Sequence, residues 1–411
     1  MFELVWKGKA EMLDTLNETH SFTLNPPLPV QAGHHFIEGD NLNALYALRS
    51  SLQGDLDFIY IDPPYNTGQR FIYNDDYREP PGADSEPLRQ MSAIHSRWLN
   101  MMYPRLKLAR ELLKPSGVLF VSIDDVAQAP LKIILDEIFG PNQYIQTFLW
   151  RHGKGKKDKF SRTQHQYILA VAKDKSQLAP WRERITKTYG KTVNPDQDPR
   201  GPWFSGSISF SEQRSNPNHP NYFSLTSPSG IRWTRQWLCT KAEMNAHLSA
   251  GDIYFGPPPS HSRVPRLKIF QHTAEIIPLN ILDDLGTSRS ASQECSADFE
   301  GQALFDYPKP VALIQHLLEL ALPNGGRVLD FFAGSGTTGV ACMALEQQSK
   351  QTYPCILIQK PEPFDGHRHS SHVSWASQQG VPANVASLTW HRIQASAHDP
   401  QQWTRHHIRR G

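Results

Sequence analysis

The sequence predicts an α/β protein built on a mostly parallel sheet. Two strand–helix–strand runs and a glycine-rich turn carry that prediction. Phe36-Ile37-Glu38-Gly39-Asp40-Asn41 reads as a short strand and turn. Leu42, Leu45, Tyr46 and Leu48 then mark an amphipathic helix, and Leu56-Asp57-Phe58-Ile59-Tyr60-Ile61 reads as a buried strand. Far downstream, Arg327-Val328-Leu329-Asp330-Phe331-Phe332 reads as a strand. It feeds Ala333-Gly334-Ser335-Gly336-Thr337-Thr338-Gly339, a glycine turn into a helix, and Ile356-Leu357-Ile358-Gln359 is the next strand.

The chain has 411 residues, enough for one large domain or two ordinary ones. A net charge of +2 does not announce a nucleic-acid binder, so any basic surface must be local. The four cysteines, Cys239, Cys295, Cys342 and Cys355, lack C-x-x-C spacing, which suggests reduced thiols, a cytoplasmic setting and no metal site. No stretch approaches the length of a membrane span, and the N-terminus lacks an apolar signal core.

Residues 1–33 are weakly patterned, with Asn25-Pro26-Pro27-Leu28-Pro29 as an extended lead-in. Asp40 or Asn41 is a natural cap for the first amphipathic helix. After the 56–61 strand comes Asp62-Pro63-Pro64-Tyr65, then a polar loop through Pro87 that reads as a lid or substrate clamp. A long helical pattern follows from Ile94 to Leu113, which Pro104 is expected to kink or split. Gly117 to Ile123 reads as a buried strand with Asp124 and Asp125 at its end, where they would line a pocket or cap the next helix, Leu131 to Phe139.

Arg151, Lys154, Lys156, Lys157, Lys159 and Arg162 crowd a glycine-bearing stretch before another strand, Gln166 to Ala172. Such a cluster is ordinarily a solvated loop; beside a catalytic domain it is a candidate for phosphate contacts. Residues 175–304 lack long helices and carry Trp181, Trp203, Trp233 and Trp237, read as a small core, with several arginines. We take 175–304 as an inserted, partly β module, with 1–174 and 305–411 as the two parts of the α/β domain. Val311 to Leu320 forms an apolar helix face behind Pro310, which suits a first helical turn. The tail from Pro361 is polar and His-rich. Its His367, His369 and His372 read as flexible tail rather than metal site, with one more helix near Val385 to Ala395.

Asp62-Pro63-Pro64-Tyr65 stands where the chain must turn sharply, at the carboxyl end of a parallel strand. That edge is where open α/β sheets bind ligands. The Asp62 carboxylate and the Pro63 carbonyl can both accept from an exocyclic amine, and Tyr65 can stack on a flat ring. Gly334, Gly336 and Gly339 match G-x-G-x-x-G, which by itself points first to a dinucleotide. Three features favour S-adenosyl-L-methionine instead. Asp330 precedes the turn, where it suits an ammonium group. The helix start at Thr337 and Thr338 suits a carboxylate. The third is the presence of the amine clamp itself. The position expected to bind ribose hydroxyls is Gln359, with Glu362 three residues on.

Taken together, Gly39-Asp40-Asn41, Ile61 to Gly68, Arg97-Trp98-Leu99-Asn100-Met101-Met102-Tyr103-Pro104-Arg105-Leu106, Gly117 to Asp125, Tyr307-Pro308-Lys309-Pro310 and Leu329 to Thr338 resemble the β-class amino-methyltransferases of DNA. They are similar to the modification subunits of type III restriction–modification systems. The resemblance implies a Rossmann-like, class I S-adenosyl-L-methionine-dependent methyltransferase fold, circularly permuted, with one reversed strand and a target-recognition module between the motifs. It implies that Asp62, Pro63, Pro64 and Tyr65 are catalytic. The cofactor would lie against Asp40, Asn41, Asp62, Lys309, Pro310, Asp330, Phe332, Ala333, Gly334, Ser335, Gly336, Thr337, Thr338 and Gln359. Asp40 would meet the cofactor's adenine, and Lys309 and Pro310 the methionine end. Many relatives carry Asp or Glu where Gln359 stands, so the ribose grip is a departure that Glu362 would have to make good.

Asp at position 62 points to adenine in double-stranded DNA, because cytosine 4-amino enzymes of this type usually carry Ser there. The base would be flipped out of the duplex to reach the site. Arg232, Arg235, Arg263 and Arg266 are candidates for reading guanine, none ranked above another. The alternatives are a cytosine 4-amino methyltransferase, a DNA-recognition subunit of a larger restriction or phage-defence complex and, more distantly, a nicotinamide oxidoreductase. The family often pairs two copies, so a homodimer and a restriction or translocase partner are further expectations.

Overall fold

The computed structural model describes residues 4–17, 21–29, 33–66, 87–153, 155, 159–184, 192–270 and 275–410. They fall into two compact units, one of residues 1–180 with 279–411 and one of residues 181–278. The sequence reading set the inserted segment wider, at 175–304. Ile281–Leu282 instead pairs with the main sheet beside Tyr144–Arg151.

Ten strands form that main sheet, in the order Phe22–Asn25, Trp403–Arg410, His34–Glu38, Cys355–Gln359, Val328–Asp330, Leu56–Ile61, Leu113–Ile123, His165–Ala172, Tyr144–Arg151, Ile281–Leu282. Six consecutive strands from Trp403–Arg410 to Leu113–Ile123 are mutually parallel. His165–Ala172 runs against both of its neighbours and is the reversed strand that the resemblance implies. A second reversed strand, Phe22–Asn25, is added at the edge against Trp403–Arg410.

Both faces of the sheet are covered, which is why its central strands are apolar throughout. Ile59, Ile61, Leu119, Val121, Leu329, Phe331, Ile356 and Ile358 pack in one core with helices Asn41–Leu52, Pro87–Leu112 and Gln128–Phe139. Leu357 points the other way, as strand alternation requires. There it meets helix Thr337–Gln348, which packs with Val311–Ala321 and Val385–Ser396.

Several expectations change. Pro104 neither splits nor ends its helix, which runs from Pro87 to Leu112. The following strand begins at Leu113, before Gly117, with a register shift opposite Leu56 and Phe58. The lead-in holds a helix, Lys9–Asn17, and the edge strand. The tail is not a flexible appendage: it folds into helices Ser370–Gln379 and Val385–Ser396 and the sheet strand Trp403–Arg410. His372 is buried against Phe364, and its Nε2 donates to the Leu304 carbonyl over 2.9 Å. Trp375, Phe299, Val385 and Leu388 share that apolar cluster, which ties the tail down.

Within residues 181–278, Ile253–Tyr254, Arg266–Phe270 and Trp203–Ser207 form a three-stranded antiparallel sheet, and Tyr222–Thr226 pairs with Arg232–Gln236. Trp203 and Trp237 are fully buried there, while Trp181 and Trp233 are half-buried. Among the described residues no helix is long and apolar enough to cross a membrane.

Candidate active site

Strand Leu56–Ile61 delivers Asp62 to the carboxyl edge of the sheet between Val328–Asp330 and Leu113–Ile123. The prolines stop the ladder there, and one hydrogen bond and one left-handed residue fix the turn that follows. The Trp98 indole N–H donates to the Pro64 carbonyl over 2.7 Å, anchoring the turn to helix Pro87–Leu112. Asn66, buried and left-handed at φ 61°, completes it. Thr67, Gly68 and the expected lid through residue 86 lie outside the described residues.

Both Asp62 oxygens are engaged by the protein. The Tyr65 hydroxyl lies 2.6 Å from Oδ1, and the Lys309 ammonium donates to Oδ2 over 2.5 Å. The same ammonium donates to the Tyr65 hydroxyl over 2.8 Å, and Gln166 Oε1 is 3.3 Å from that hydroxyl. Lys309 is buried, while the Asp62 side chain stays 26% exposed and so remains open to a ligand. Sequence reasoning placed Lys309 at the methionine end of the cofactor pocket and missed its pairing with Asp62.

Asp330 ends its strand almost wholly buried. Its Oδ1 accepts from the Phe332 N–H over 2.9 Å and its Oδ2 from the Thr338 hydroxyl over 2.6 Å. Burial nevertheless dominates and pushes its pKa up to about 7. Gly336 opens the next helix at φ 77°, and a Cβ there would come within 2.9 Å of Ile393. The turn is held from behind by helix Val385–Ser396. The Thr389 hydroxyl donates to the Gly334 carbonyl (2.6 Å), and the buried Arg392 guanidinium donates to the Ser335 carbonyl (3.1 Å) and the Thr337 hydroxyl (2.9 Å) while paired to Asp298 (3.0 Å). Neither Thr389 nor Arg392 was expected.

A cavity of about 230 Å³ joins these parts. Of the expected cofactor residues, Asp40, Asn41, Asp62, Lys309, Asp330, Phe332, Ala333, Gly334, Ser335, Thr337, Thr338 and Gln359 line it, as does Pro64; Pro310 and Gly336 do not. Asp40 caps helix Asn41–Leu52, accepting from the Leu42 N–H over 3.0 Å. Asn41 donates to the Phe331 carbonyl (2.7 Å) and accepts from Arg105 Nε (2.6 Å), so Arg105, from the Arg97–Leu106 motif, aligns that wall. Gln359 turns its Oε1 to the Gly334 N–H (2.8 Å) and its Nε2 to the Lys360 carbonyl (3.1 Å), an internal role not foreseen. Glu362 also lines the cavity, with its carboxyl raised by burial.

Asp124 and Asp125 do not line the cavity. Asp124 accepts from the Val126 N–H, and Asp125 accepts from the Tyr167 hydroxyl. Of the basic stretch, Lys154, Lys156 and Lys157 lie outside the described residues. Arg151, Lys159 and Arg162 are exposed, with Arg151 paired to Asp283 at 3.2 Å.

Residues 56–362 match the profile of the DNA methylase family, and the chain belongs to that family. It is 36% identical over 334 residues to the Mod subunit of the type III restriction-modification enzyme StyLTI of Salmonella typhimurium, covering 76% of this chain and 50% of that protein. It is 29% identical over 387 residues to the EcoP15I Mod subunit of Escherichia coli, covering 80% of this chain and 59% of that one. The chain thus spans little more than half the length of these relatives. A crystal structure of a DNA modification methylase from Thermus thermophilus, complexed with S-adenosyl-L-methionine, aligns at 15% identity and a TM-score of 0.39, covering 84% of this chain and 95% of that one.

Proposed function

We infer that this chain transfers a methyl group from S-adenosyl-L-methionine to the exocyclic 6-amino group of adenine in DNA. One observation carries the reading: Asp62, an acceptor suited to an amine, and Asp330, a buried carboxyl suited to an ammonium, open on the same cavity. The donor set fits the cofactor. A cationic partner would relieve the desolvation that holds Asp330 up. The N-terminus of helix Thr337–Gln348 favours a carboxylate, and Glu362 and Gln359 supply groups for hydroxyls. Bound there, the cofactor supplies a methyl group already activated by its sulfonium.

The chain's own task is then positioning and electrostatics. The lone pair of an adenine amine is conjugated with its ring. Hydrogen bonds from that amine to Asp62 and to the Pro63 carbonyl draw the nitrogen toward a pyramidal form and stabilise the positive charge that develops on it. Tyr65 supplies a stacking surface for a base flipped from the duplex. Phosphate contacts fall to the 151–162 stretch and sequence reading to residues 181–278. Asp rather than Ser at position 62 favours adenine over cytosine. Similarity to Mod subunits supports work beside a restriction partner; a homodimer and a cytoplasmic setting complete the proposal.

The test is to incubate the protein with the cofactor and methylation-free genomic DNA, then to sequence single molecules for modified bases. Methyladenine at one short motif, absent with Asp62→Ala, supports the reading. Methylcytosine overturns the base assignment. No modification despite intact cofactor binding overturns independent catalysis and moves the chain to a partner-dependent recognition role.

A further inference from the structure

Lys309 reaches Asp62 across 247 residues of sequence, and its position is hard to reconcile with a base already in the site. Its ammonium touches the Asp62 Oδ2 and the Tyr65 hydroxyl. It also stands 5.3 Å from the centroid of the Tyr65 ring and 5.9 Å from that of the buried Trp150 ring. The cation therefore occupies the carboxylate acceptor that a target adenine needs and stands at the hydroxyl edge of the aromatic ring. Its charge is also of the wrong sign for the reacting state. Positive charge develops on the target nitrogen as the new bond forms, and an ammonium within hydrogen-bond distance of the same carboxylate opposes it.

We propose that Lys309 is a placeholder for the target amine: in the DNA-free protein it holds the slot formed by Asp62, Tyr65 and Trp150, and it withdraws as the flipped base enters. The proposal rests on the adenine-methyltransferase reading and deepens it. The resting arrangement is chemically complete. The ammonium satisfies Asp62, the Tyr65 hydroxyl donates to Asp62 and accepts from the ammonium, and the two rings shelter the cation. Without such an occupant, a half-buried carboxylate beside an aromatic wall would keep the Tyr65 hydroxyl but lose its counter-charge. The lysine stem, flexible about four bonds, suits withdrawal. Its backbone stays in place, because the Lys309 carbonyl accepts from the Thr337 hydroxyl over 3.2 Å at the start of the cofactor helix. The device also gives specificity. An entering base must offer an amine able to replace the ammonium on Asp62, and one that cannot meets a closed slot.

A placeholder competes with substrate, whereas a static support assists it, and Lys309→Met distinguishes the two. Methionine keeps the volume and removes the charge. Affinity for DNA is lowered by the fraction of protein whose slot is open, so opening it should tighten binding. The probe is a duplex carrying the modified motif with 2-aminopurine at the target position, titrated without cofactor. Expected for Lys309→Met are brighter 2-aminopurine emission and a KM for adenine duplex lowered about threefold or more, with Tyr65→Phe, which removes one of the ammonium's two acceptors, shifting both the same way by less. Cofactor affinity and melting temperature, measured alongside, report whether each variant folds; should Lys309→Met not fold, Tyr65→Phe alone decides. An unchanged or raised KM with a dark probe, in a folded variant, overturns the placeholder and leaves Lys309 a static support. If the wild-type protein methylates no adenine at all, it is the underlying reading that fails, not the placeholder.

Discussion

Asp330 shows how one buried side chain sets the conditions under which the site can work. Water is kept from it, so its carboxyl holds its proton up to about pH 7 despite donors on both oxygens. An ammonium ligand requires the ionised form. Cofactor affinity should therefore rise about fivefold between pH 6 and pH 7, as Asp330 ionises while the ligand's own amine stays mostly protonated. Calorimetric titration at the two pH values checks this. Asp330→Asn should bind more weakly and lose the rise; an equal rise in the variant would place the ammonium elsewhere. The sequence already pointed to Asp330 because it stands just before the glycine turn, and to Asp62 because it ends an apolar strand and precedes two prolines. The Lys309–Asp62 pair had no local signal. It exists only because strand Leu56–Ile61 and the segment before helix Val311–Ala321 meet in three dimensions.

At the scale of elements, the glycine turn owes its shape to a helix that the sequence reading left in a polar tail. Gly336 is required both by its φ of 77° and by Ile393 behind it. Arg392 is fully buried, with its guanidinium divided between Asp298, the Ser335 carbonyl and the Thr337 hydroxyl. Arg392→Met keeps the stem and leaves those acceptors unsatisfied. Cofactor affinity should fall about tenfold, since roughly 1.4 kcal/mol is a modest share of what a buried charged hydrogen-bond network contributes. Binding measured on folded protein at fixed pH decides it, and unaltered affinity would mean the turn holds its shape unaided.

The tail's helix near Val385 was legible, but its last strand was unreadable for a physical reason. Trp403–Arg410 carries Thr, Arg and His where a buried strand would carry Val or Ile. Pairing with His34–Glu38, where Arg405 meets Glu38, and with Phe22–Asn25 makes those residues acceptable. Phe22–Asn25, at four residues, is too short for any alternation to declare itself. The parallel centre was legible because two-sided burial leaves a continuous apolar run.

For the whole molecule, two groups in one sheet pull stability in opposite directions as pH falls. His35, on strand His34–Glu38, is buried against His406, with His35 Nδ1 and His406 Nε2 3.1 Å apart. His406 Nδ1 donates to the Pro26 carbonyl over 2.7 Å, so in the neutral ring its Nε2 is left to accept from His35 Nδ1. Burial first, and His406 second, lower the His35 pKa to about 4, and burial lowers that of His406 as well. A group whose native pKa lies below its unfolded value of about 6.5 contributes fully above that pH. Its contribution is lost between pH 6.5 and 4, where only the unfolded chain takes up the proton. Asp330 has the opposite sign: between about pH 7 and 4 the native state holds a proton that the unfolded chain has released, so acidification favours the fold. From pH 6.5 to 5 the cofactor-free protein should therefore lose stability less steeply than its buried histidines alone would dictate. Asp330→Asn removes the compensating proton and should steepen the loss by about 1.4 kcal/mol per pH unit, whereas His35→Gln should flatten it by up to a similar amount. Urea unfolding at pH 6.5, 5.8 and 5.0 measures the slopes, and parallel slopes for wild type and Asp330→Asn would show that the Asp330 carboxyl is ionised in the native state. Saturating cofactor should imitate Asp330→Asn if it holds that carboxyl ionised, so the same three titrations with ligand present connect the acid response of the fold to occupancy of the site.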